Sequence, residues 1–439
     1  MALFGKDIFP AYFRLKELEY NSIEENEKIQ KDLLEKIVIH SWKYSPYYKK
    51  VFEEAGVVDN GVFDFSNWSN VEFLTKDLIN ENWDDLQTTS DPQFSQRGNY
   101  ENSSGGSTGK PVKFIQHRSH WIRGMACKWL FFSFIDDYPT KHIKLWGSER
   151  DILEGRRVFS TKIRNFIYRR RVQNAFLMSS EDVERYVEEI NKFEPVFIEA
   201  YVQSIYELSK YIKEHDLEVY SPKGVVTSAG TLYPEIQDLI EEVFGCPVLN
   251  RYGSREVGDM ACSCDKDEGL HLNIFQHYFE ILNDEMKPCR PGEIGKVYIT
   301  SLSNFSMPII RYEIGDVAIP SENKECSCGR GLPLIASVKG RSVNLFKKAD
   351  GTLVDGEYFT HMFYFKDWVQ QFQVIQKDYV HLIMKIRLKG DKNEREIKQI
   401  EHDSRVVMGE DCCIEWEFIE GEIPPTKSGK YLYTISEVE

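Results

Sequence analysis

The sequence predicts an α/β protein. It is expected to have a large N-terminal domain of mostly parallel sheet with an antiparallel, barrel-like portion, and a small, mobile α+β C-terminal domain. Three observations carry this. Short apolar runs alternate with amphipathic helices between residues 183 and 250. After residue 270 the pattern changes to strands joined by turns, and a hairpin, a polar helix and a further strand occupy the C-terminal stretch.

The elements follow in order. Ile29, Leu33, Leu34, Ile37, Val38 and Trp42 recur at helical spacing, with Pro46 just beyond. Ser179 and Asp182 suit a capping box for a helix whose buried face is Val183, Tyr186, Val187 and Ile190, and Pro195 stops it. Ile205, Leu208 and Ile212 mark another helix. A fourth begins near Pro234 and buries Ile236, Leu239, Ile240 and Val243. The runs Val196 to Ala200, Gly224 to Ser228 and Pro247 to Asn250 read as buried strands between them. Glu293 to Ser301 and Met307 to Tyr312 are expected strands of the antiparallel portion. Beyond a joint at Lys339-Gly340-Arg341-Ser342, Val369 to Ile375 and Tyr379 to Ile386 form a hairpin around Lys377-Asp378. A helix follows over 393–407, then a strand with Ile414, Trp416 and Phe418 in alternation. The expected domains are therefore 1–339 and 340–439.

Composition narrows the function classes. Of 439 residues, 41% are hydrophobic and 13% aromatic, which is globular rather than disordered. The 55 Lys and Arg against 70 Asp and Glu give a net charge of −15, which argues against nucleic-acid binding through phosphate neutralisation. No run of about 18 apolar residues suggests a membrane span, and the N-terminal stretch lacks the apolar core of a signal peptide. Nine cysteines, four of them in two C-x-C pairs, favour thiols and metal over disulfides. A cytoplasmic location is expected. Oligomeric state is not legible.

Residues 102–111 read Asn-Ser-Ser-Gly-Gly-Ser-Thr-Gly-Lys-Pro. Glycines and small hydroxyls let a backbone close around phosphate oxygens, and a lysine adds charge. Taken alone, the segment also suits a surface linker. It is not a P-loop, because Ser104 replaces the first Gly and Pro111 replaces the magnesium-binding Ser or Thr. Ser103-Ser104-Gly105-Gly106-Ser107-Thr108-Gly109-Lys110 resembles the phosphate loop of the adenylate-forming enzymes, the superfamily of acyl-CoA synthetases, peptide-synthetase adenylation domains and luciferases. Within it the chain is most similar to the phenylacetate–CoA ligase family, including relatives encoded with capsule and surface-polysaccharide genes. Ser45-Pro46-Tyr47-Tyr48 and Phe73-Leu74-Thr75-Lys76 also resemble that family's N-terminal region, so the likeness spans nearly the whole chain.

The resemblance implies the remaining roles. Tyr252-Gly253-Ser254-Arg255-Glu256 resembles the family pattern of Tyr-Gly, a variable residue, often Thr or Ser, then Glu. Tyr252 would face adenine, and Glu256 would accompany magnesium. Asp316 of Arg311-Tyr-Glu-Ile-Gly-Asp316 would take both ribose hydroxyls, a task suited to a carboxylate with two acceptor oxygens. Ser228-Ala229-Gly230 would line the adenine and acyl pocket, although Gly230 stands where the family often has Glu. Gly340-Arg341 resembles the hinge, with Arg341 near the ribose and Val343-Asn344 in place of an acidic pair. Lys430 of Pro-Pro-Thr-Lys-Ser-Gly-Lys430 matches the catalytic lysine, whose ammonium would stabilise charge developing at the α-phosphate.

A second constellation carries different chemistry. Cys262-Ser-Cys264, His271 and Cys326-Ser-Cys328-Gly329 offer five ligands for four places around a structural Zn²⁺. Cys264, His271, Cys326 and Cys328 are the expected set, with Cys262 as substitute.

The expected function is ATP- and Mg²⁺-dependent activation of a carboxylic acid through an acyl-adenylate, then acyl transfer to CoA. Tyr201, Phe275 and Trp146 are candidates to line the acyl pocket. Two alternatives stand beside this reading. Leu145-Trp-Gly-Ser-Glu-Arg-Asp151 looks like the capsule-associated branch, where the acceptor is an amine or a sugar. The altered hinge also suits a non-catalytic nucleotide binder, although retention of Lys430 opposes that.

Overall fold

The computed structural model of the chain describes residues 7–94, 98–103, 112–146, 165–175, 180–341, 345–363, 366, 368–421, 423 and 432–438. Three helices open it: α1 (Ile8–Leu18), α2 (Ile23–Tyr44) and α3 (Pro46–Ala55). Ser22 and Glu25 close a reciprocal capping box on α2. Ser45 then ends α2 and caps α3, whose first residue is Pro46, so the chain turns sharply there. A small hairpin of β1 (Val58–Asp59) and β2 (Val62–Phe63) and the short α4 (Lys76–Glu81) follow. A second hairpin, β3 (Asn99–Ser103) and β4 (Lys113–His117), leads into α5 (Arg118–Phe132).

The main sheet is then laid down as β5 (His142–Leu145), β6 (Arg170–Gln173), α6 (Ser180–Phe193), β7 (Phe197–Tyr201), α7 (Val202–Glu214), β8 (Gly224–Ser228), α8 (Pro234–Phe244) and β9 (Val248–Ser254). The chain continues with β10 (Gly258–Ser263), β11 (Leu270–Leu272), β12 (His277–Leu282), β13 (Gly295–Ser301), β14 (Tyr312–Pro320) and β15 (Leu334–Arg341). All of these strands join one 11-stranded sheet in the order β12-β13-β14-β15-β11-β10-β9-β8-β7-β5-β6. The expected parallel and antiparallel portions are thus one continuous mixed sheet. Its seam is β9, which pairs parallel to β8 on one edge and antiparallel to β10 on the other.

Both faces of the parallel half are covered, as parallel strands require. Ile198, Ala200, Val225 and Val248 pack with α6, α7 and α8 in one apolar cluster. Phe197, Val226 and Leu249 point the other way and pack with Trp129, Leu130 and Phe132 of α5.

Two boundaries differ from the sequence reading. The strand expected over 307–312 begins only at Tyr312. Arg311 adopts a left-handed backbone, φ 47°. Its guanidinium donates to the carbonyls of Trp68, Ser69 and Val71 and pairs with Glu280, so the segment is anchored by its side chain rather than by a ladder. In the C-terminal hairpin, β18 (Val369–Asp378) runs on through Lys377 and Asp378, and β19 (His381–Leu388) starts three residues later. The Asp378 carboxylate accepts from the Val380 amide and shifts the turn to Tyr379 and Val380.

After β15 come β16 (Leu345–Lys347), β17 (Leu353–Asp355), α9 (Glu357–Phe363), β18, β19 (His381–Leu388), α10 (Glu394–Met408), β20 (Cys413–Phe418) and β21 (Thr434–Ser436). Asn393 caps α10 by accepting from two amides. The four strands β20-β19-β18-β21 make a separate sheet. This unit rests on α7 and α8. Lys210 pairs with Asp403 at 2.9 Å, and the Tyr233 and Tyr358 rings meet edge-on at 5.7 Å. No helix among the described residues is long and apolar enough to cross a membrane.

Candidate active site

Tyr252 lies near the end of β9, at the carboxyl end of the parallel strands, where open α/β sheets bind ligands. Its hydroxyl donates to the Asp316 carboxylate at 2.6 Å across 64 residues of sequence. Asp316 is buried in β14, opposite Arg341 of β15. The expected adenine platform and ribose acid are thus in contact before any ligand is considered. Gly253 permits this turn of the chain. A Cβ there would lie 2.9 Å from the Gly258 carbonyl and 2.9 Å from the Asp259 carboxylate, closer than real side chains come. Ser254 and Gly258 are partners in the β9–β10 ladder.

Glu256 is buried in the turn that follows, and its carbonyl accepts from Gln116 at 3.0 Å. Gln116 belongs to β4. Ser103 faces Lys113 in the β3–β4 hairpin, which is closed by five cross-strand pairs. Gln116 ties that hairpin to the Glu256 turn. Ser104, Gly105, Gly106, Ser107, Thr108, Gly109, Lys110 and Lys430 themselves lie outside the described residues, as does the side chain of Arg341.

On the other side of Tyr252, Ser228 ends β8 beside Tyr201 of β7. Ala229 then takes a left-handed backbone, φ 55°, and carries the chain across the strand ends. A Cβ on Gly230 would sit 3.2 Å from Val202, so the smaller residue lets the turn rest on α7. The Tyr201 and Trp146 rings meet at a tilt of 36°, with centroids 3.9 Å apart, at the same edge. Phe275 does not join them. It is buried against α5, and its backbone carbonyl holds Arg123.

The cysteine cluster lies further out in the antiparallel half. Ligand atoms of Cys264, His271, Cys326 and Cys328 all fall within 4.8 Å of one another. The Cys264 and Cys326 sulfurs are 3.6 Å apart, and the Cys328 sulfur is 3.4 Å from His271 Nε2. A tetrahedron with Zn–S of about 2.3 Å and Zn–N of about 2.0 Å has edges of roughly 3.5–3.8 Å, so the donors fit a zinc ion. Burial pushes His271 down to about 4, with Arg330 adding to the shift, so the imidazole is neutral, the form that binds metal. Cys262 faces His271 across the β10–β11 ladder but lies outside the cluster, in the core against α5. Beside Cys328, Arg330 pairs with buried Glu19 at 2.9 Å. A Cβ on Gly331 would overlap the Asn21 carbonyl at 1.8 Å, so the loop after Cys328 packs directly on the α1–α2 turn.

One group was not singled out from sequence. Glu199 is buried in the middle of β7 and accepts from Lys128 at 2.6 Å and from Arg251 at 2.9 Å, while Arg251 also pairs with Asp259. Burial alone would raise the Glu199 carboxyl, but Lys128, Lys144 and Arg251 hold it well below the usual range. The signal was present in the sequence: a carboxylate inside the apolar run Val196 to Ala200 demands buried cationic partners.

Residues 346–437 match the model of the CapK C-terminal domain. Over 432 residues the chain is 24% identical to Protein CapK of Staphylococcus aureus, covering 94% of this chain and 89% of that protein. It is 21% identical to the phenylacetate–coenzyme A ligase of Thermus thermophilus, covering 74% of this chain and 72% of the relative. The chain is a homologue of both. Among solved structures, 2-hydroxyisobutyryl-CoA ligase with a bound acyl-AMP superposes with a TM-score of 0.66 at 16% identity, covering 96% of this chain and 92% of that one. The fold is that of the adenylate-forming CoA ligases.

Proposed function

We propose that this protein activates a carboxylic acid with ATP. A carboxylate oxygen attacks the α-phosphorus, the bond from that phosphorus to the β-phosphate bridge breaks, and pyrophosphate leaves an acyl-adenylate. An acceptor then attacks the acyl carbon and AMP departs, the acceptor's proton passing to solvent. The observation that carries this reading is the 2.6 Å contact between Tyr252 and Asp316 at the mouth of the parallel strands. It supports a nucleoside seat in which one aromatic face and one carboxylate act together.

In this reading Ser103 to Lys110 hold the outer phosphates, with Ser228, Ala229, Gly230, Gly253 and Ser254 shaping the adenine pocket. Glu256 would hold magnesium, which would neutralise phosphate charge. Lys430 reaches the α-phosphate from the C-terminal unit, residues 340–439, which turns about the Arg341 region between the two half-reactions. Cys264, His271, Cys326 and Cys328 hold a structural zinc. CoA is the acceptor. The stretch Leu145-Trp-Gly-Ser-Glu-Arg-Asp151, similar to the capsule-associated branch, favours a second reading, transfer to an amine or sugar in surface-polysaccharide synthesis.

The test is a panel of carboxylic acids with pyrophosphate release as readout and hydroxylamine to trap the adenylate. Acid-dependent pyrophosphate and a hydroxamate are expected. CoA-dependent against amine-dependent turnover then separates the two acceptors. Nucleotide binding with no acid-dependent pyrophosphate would leave only a binding protein.

A further inference from the structure

The face of β5 and β7 that looks toward α5 is built in three rungs. His142 stacks flat on Phe197, with centroids 4.7 Å apart. One step up, Lys144 stands opposite Glu199. At the strand ends Trp146 covers Tyr201. The outer rungs are aromatic, so the middle one is a charged floor under an aromatic rim.

That floor is not neutral. Glu199 is already bonded through one oxygen to both Lys128 and Arg251, and Asp259 is taken by Arg251. Lys144 approaches the second Glu199 oxygen only to 3.9 Å, outside hydrogen-bonding distance. Its ammonium lies 4.3 Å from the Trp146 ring centroid and has no hydrogen-bond acceptor among the described residues. Three cations face two carboxylates, and Arg170 on β6 adds a fourth positive charge to the field at Lys144. The Lys144 side chain is 18% exposed and that of Lys128 is 20%, so both are recessed yet reachable. A recessed ammonium with three donors and no hydrogen-bond acceptor among the described residues is costly unless a ligand completes it.

We propose that Lys144 and Lys128 form an anion subsite beneath the Trp146–Tyr201 rim, and that the acid this protein activates is a short dicarboxylic acid. Its reacting carboxylate lies at the strand ends, and its second carboxylate sits on Lys144. The depth is two strand residues, about 7 Å at the usual rise. This rests on the proposed function, since it names that site's substrate class. Burial pushes Lys144 down to about 8, opposed by Glu199, which suits an ammonium that still carries its proton near neutrality but lacks a full partner.

The experiment is calorimetric titration of the full chain, without turnover, using succinate and glutarate against butyrate and valerate, with a non-hydrolysable ATP analogue present. The dicarboxylates are expected to bind at least tenfold tighter than monocarboxylates of equal length. Lys144→Met should erase that preference and leave affinity for the ATP analogue unchanged, while Lys144→Arg should keep most of it. Equal or tighter binding of the monocarboxylates to the unaltered protein would overturn the subsite. So would a Lys144→Met protein, folded by circular dichroism, that keeps the preference. If no acid releases pyrophosphate, the proposed function fails while the titration still decides the subsite. If only neutral-tailed acids turn over, the subsite fails and the function stands.

Discussion

The two halves of the large sheet share apolar packing but differ in regularity. The parallel half, β5 to β9, is sandwiched between apolar layers, with Ile198, Ala200 and Val225 wholly buried on one side and Phe197, Val226 and Leu249 on the other. The antiparallel half has a strand of only three residues, β11, and register breaks after Asp259, Lys296, Val317 and Ile319. There Val297, Ile299, Tyr312 and Ala318 pack on α2 and α3, and a cysteine–histidine cluster and the Arg330–Glu19 pair are added to that apolar layer. The proposed nucleotide seat straddles the seam: Tyr252 comes from the shared strand and Asp316 from the irregular half. A site placed this way inherits its geometry from the regular half and its vulnerability from the other.

The largest effect that would sharpen this contrast is metal removal. Stripping the proposed zinc with a chelator, or Cys328→Ser, should lower the first unfolding transition by about 10 °C or more, because metal binding is linked to folding. Affinity for ATP should fall with it, through β11, β15 and Asp316, while exchange-protected amides of β7 and β8 stay protected. Loss of protection spread evenly over both halves would break the comparison. Lys430→Ala acts on neither half and should cut adenylation by about 10²–10³-fold, the usual cost of one preorganised donor, while thioester formation from supplied acyl-adenylate changes little. Equal loss in both half-reactions would contradict the role given to Lys430.

Within the regular half, Glu199→Gln leaves Lys128 and Arg251 with a neutral partner. It should destabilise the fold by about 3–5 kcal/mol, as broken buried pairs do, in denaturant unfolding. Acid probes the buried imidazoles. Burial holds His142 and His277 down to about 4, so the unfolded chain binds more protons between about pH 6.5 and pH 4. Stability should therefore decline as pH falls through that window and be level above pH 7. A melting temperature unchanged from pH 7 to pH 5 would show that these rings are not buried neutral. The smallest effect is Tyr252→Phe, which keeps the ring and removes the donor to Asp316. ATP affinity should weaken by roughly tenfold, the cost of about 1.5 kcal/mol for one bond to a charged group.

Legibility followed the same division. The parallel half was readable because period and burial coincide: Val196 to Ala200 and Gly224 to Ser228 could be little else than buried strands. The irregular half hid its strand start at Tyr312, because Arg311 is fixed by side-chain bonds to distant carbonyls that no local pattern encodes. Its cysteines were nonetheless readable, since ligand chemistry leaves a spacing that hydrophobic pattern does not. Gln116 left no signal, because its role depends on a hairpin meeting a turn 140 residues away. Lys144 stood out only after Glu199 was seen to be bonded elsewhere.

The most direct test of the central claim follows oxygen. Once an acid that supports turnover is found, it should be supplied with ¹⁸O in its carboxylate, and AMP and inorganic phosphate should be recovered after acyl transfer. One labelled oxygen in AMP, with none in phosphate, is the predicted result, because the carboxylate attacks the α-phosphorus. Label in inorganic phosphate, with ADP as the nucleotide product, would mean an acyl phosphate and would contradict the account.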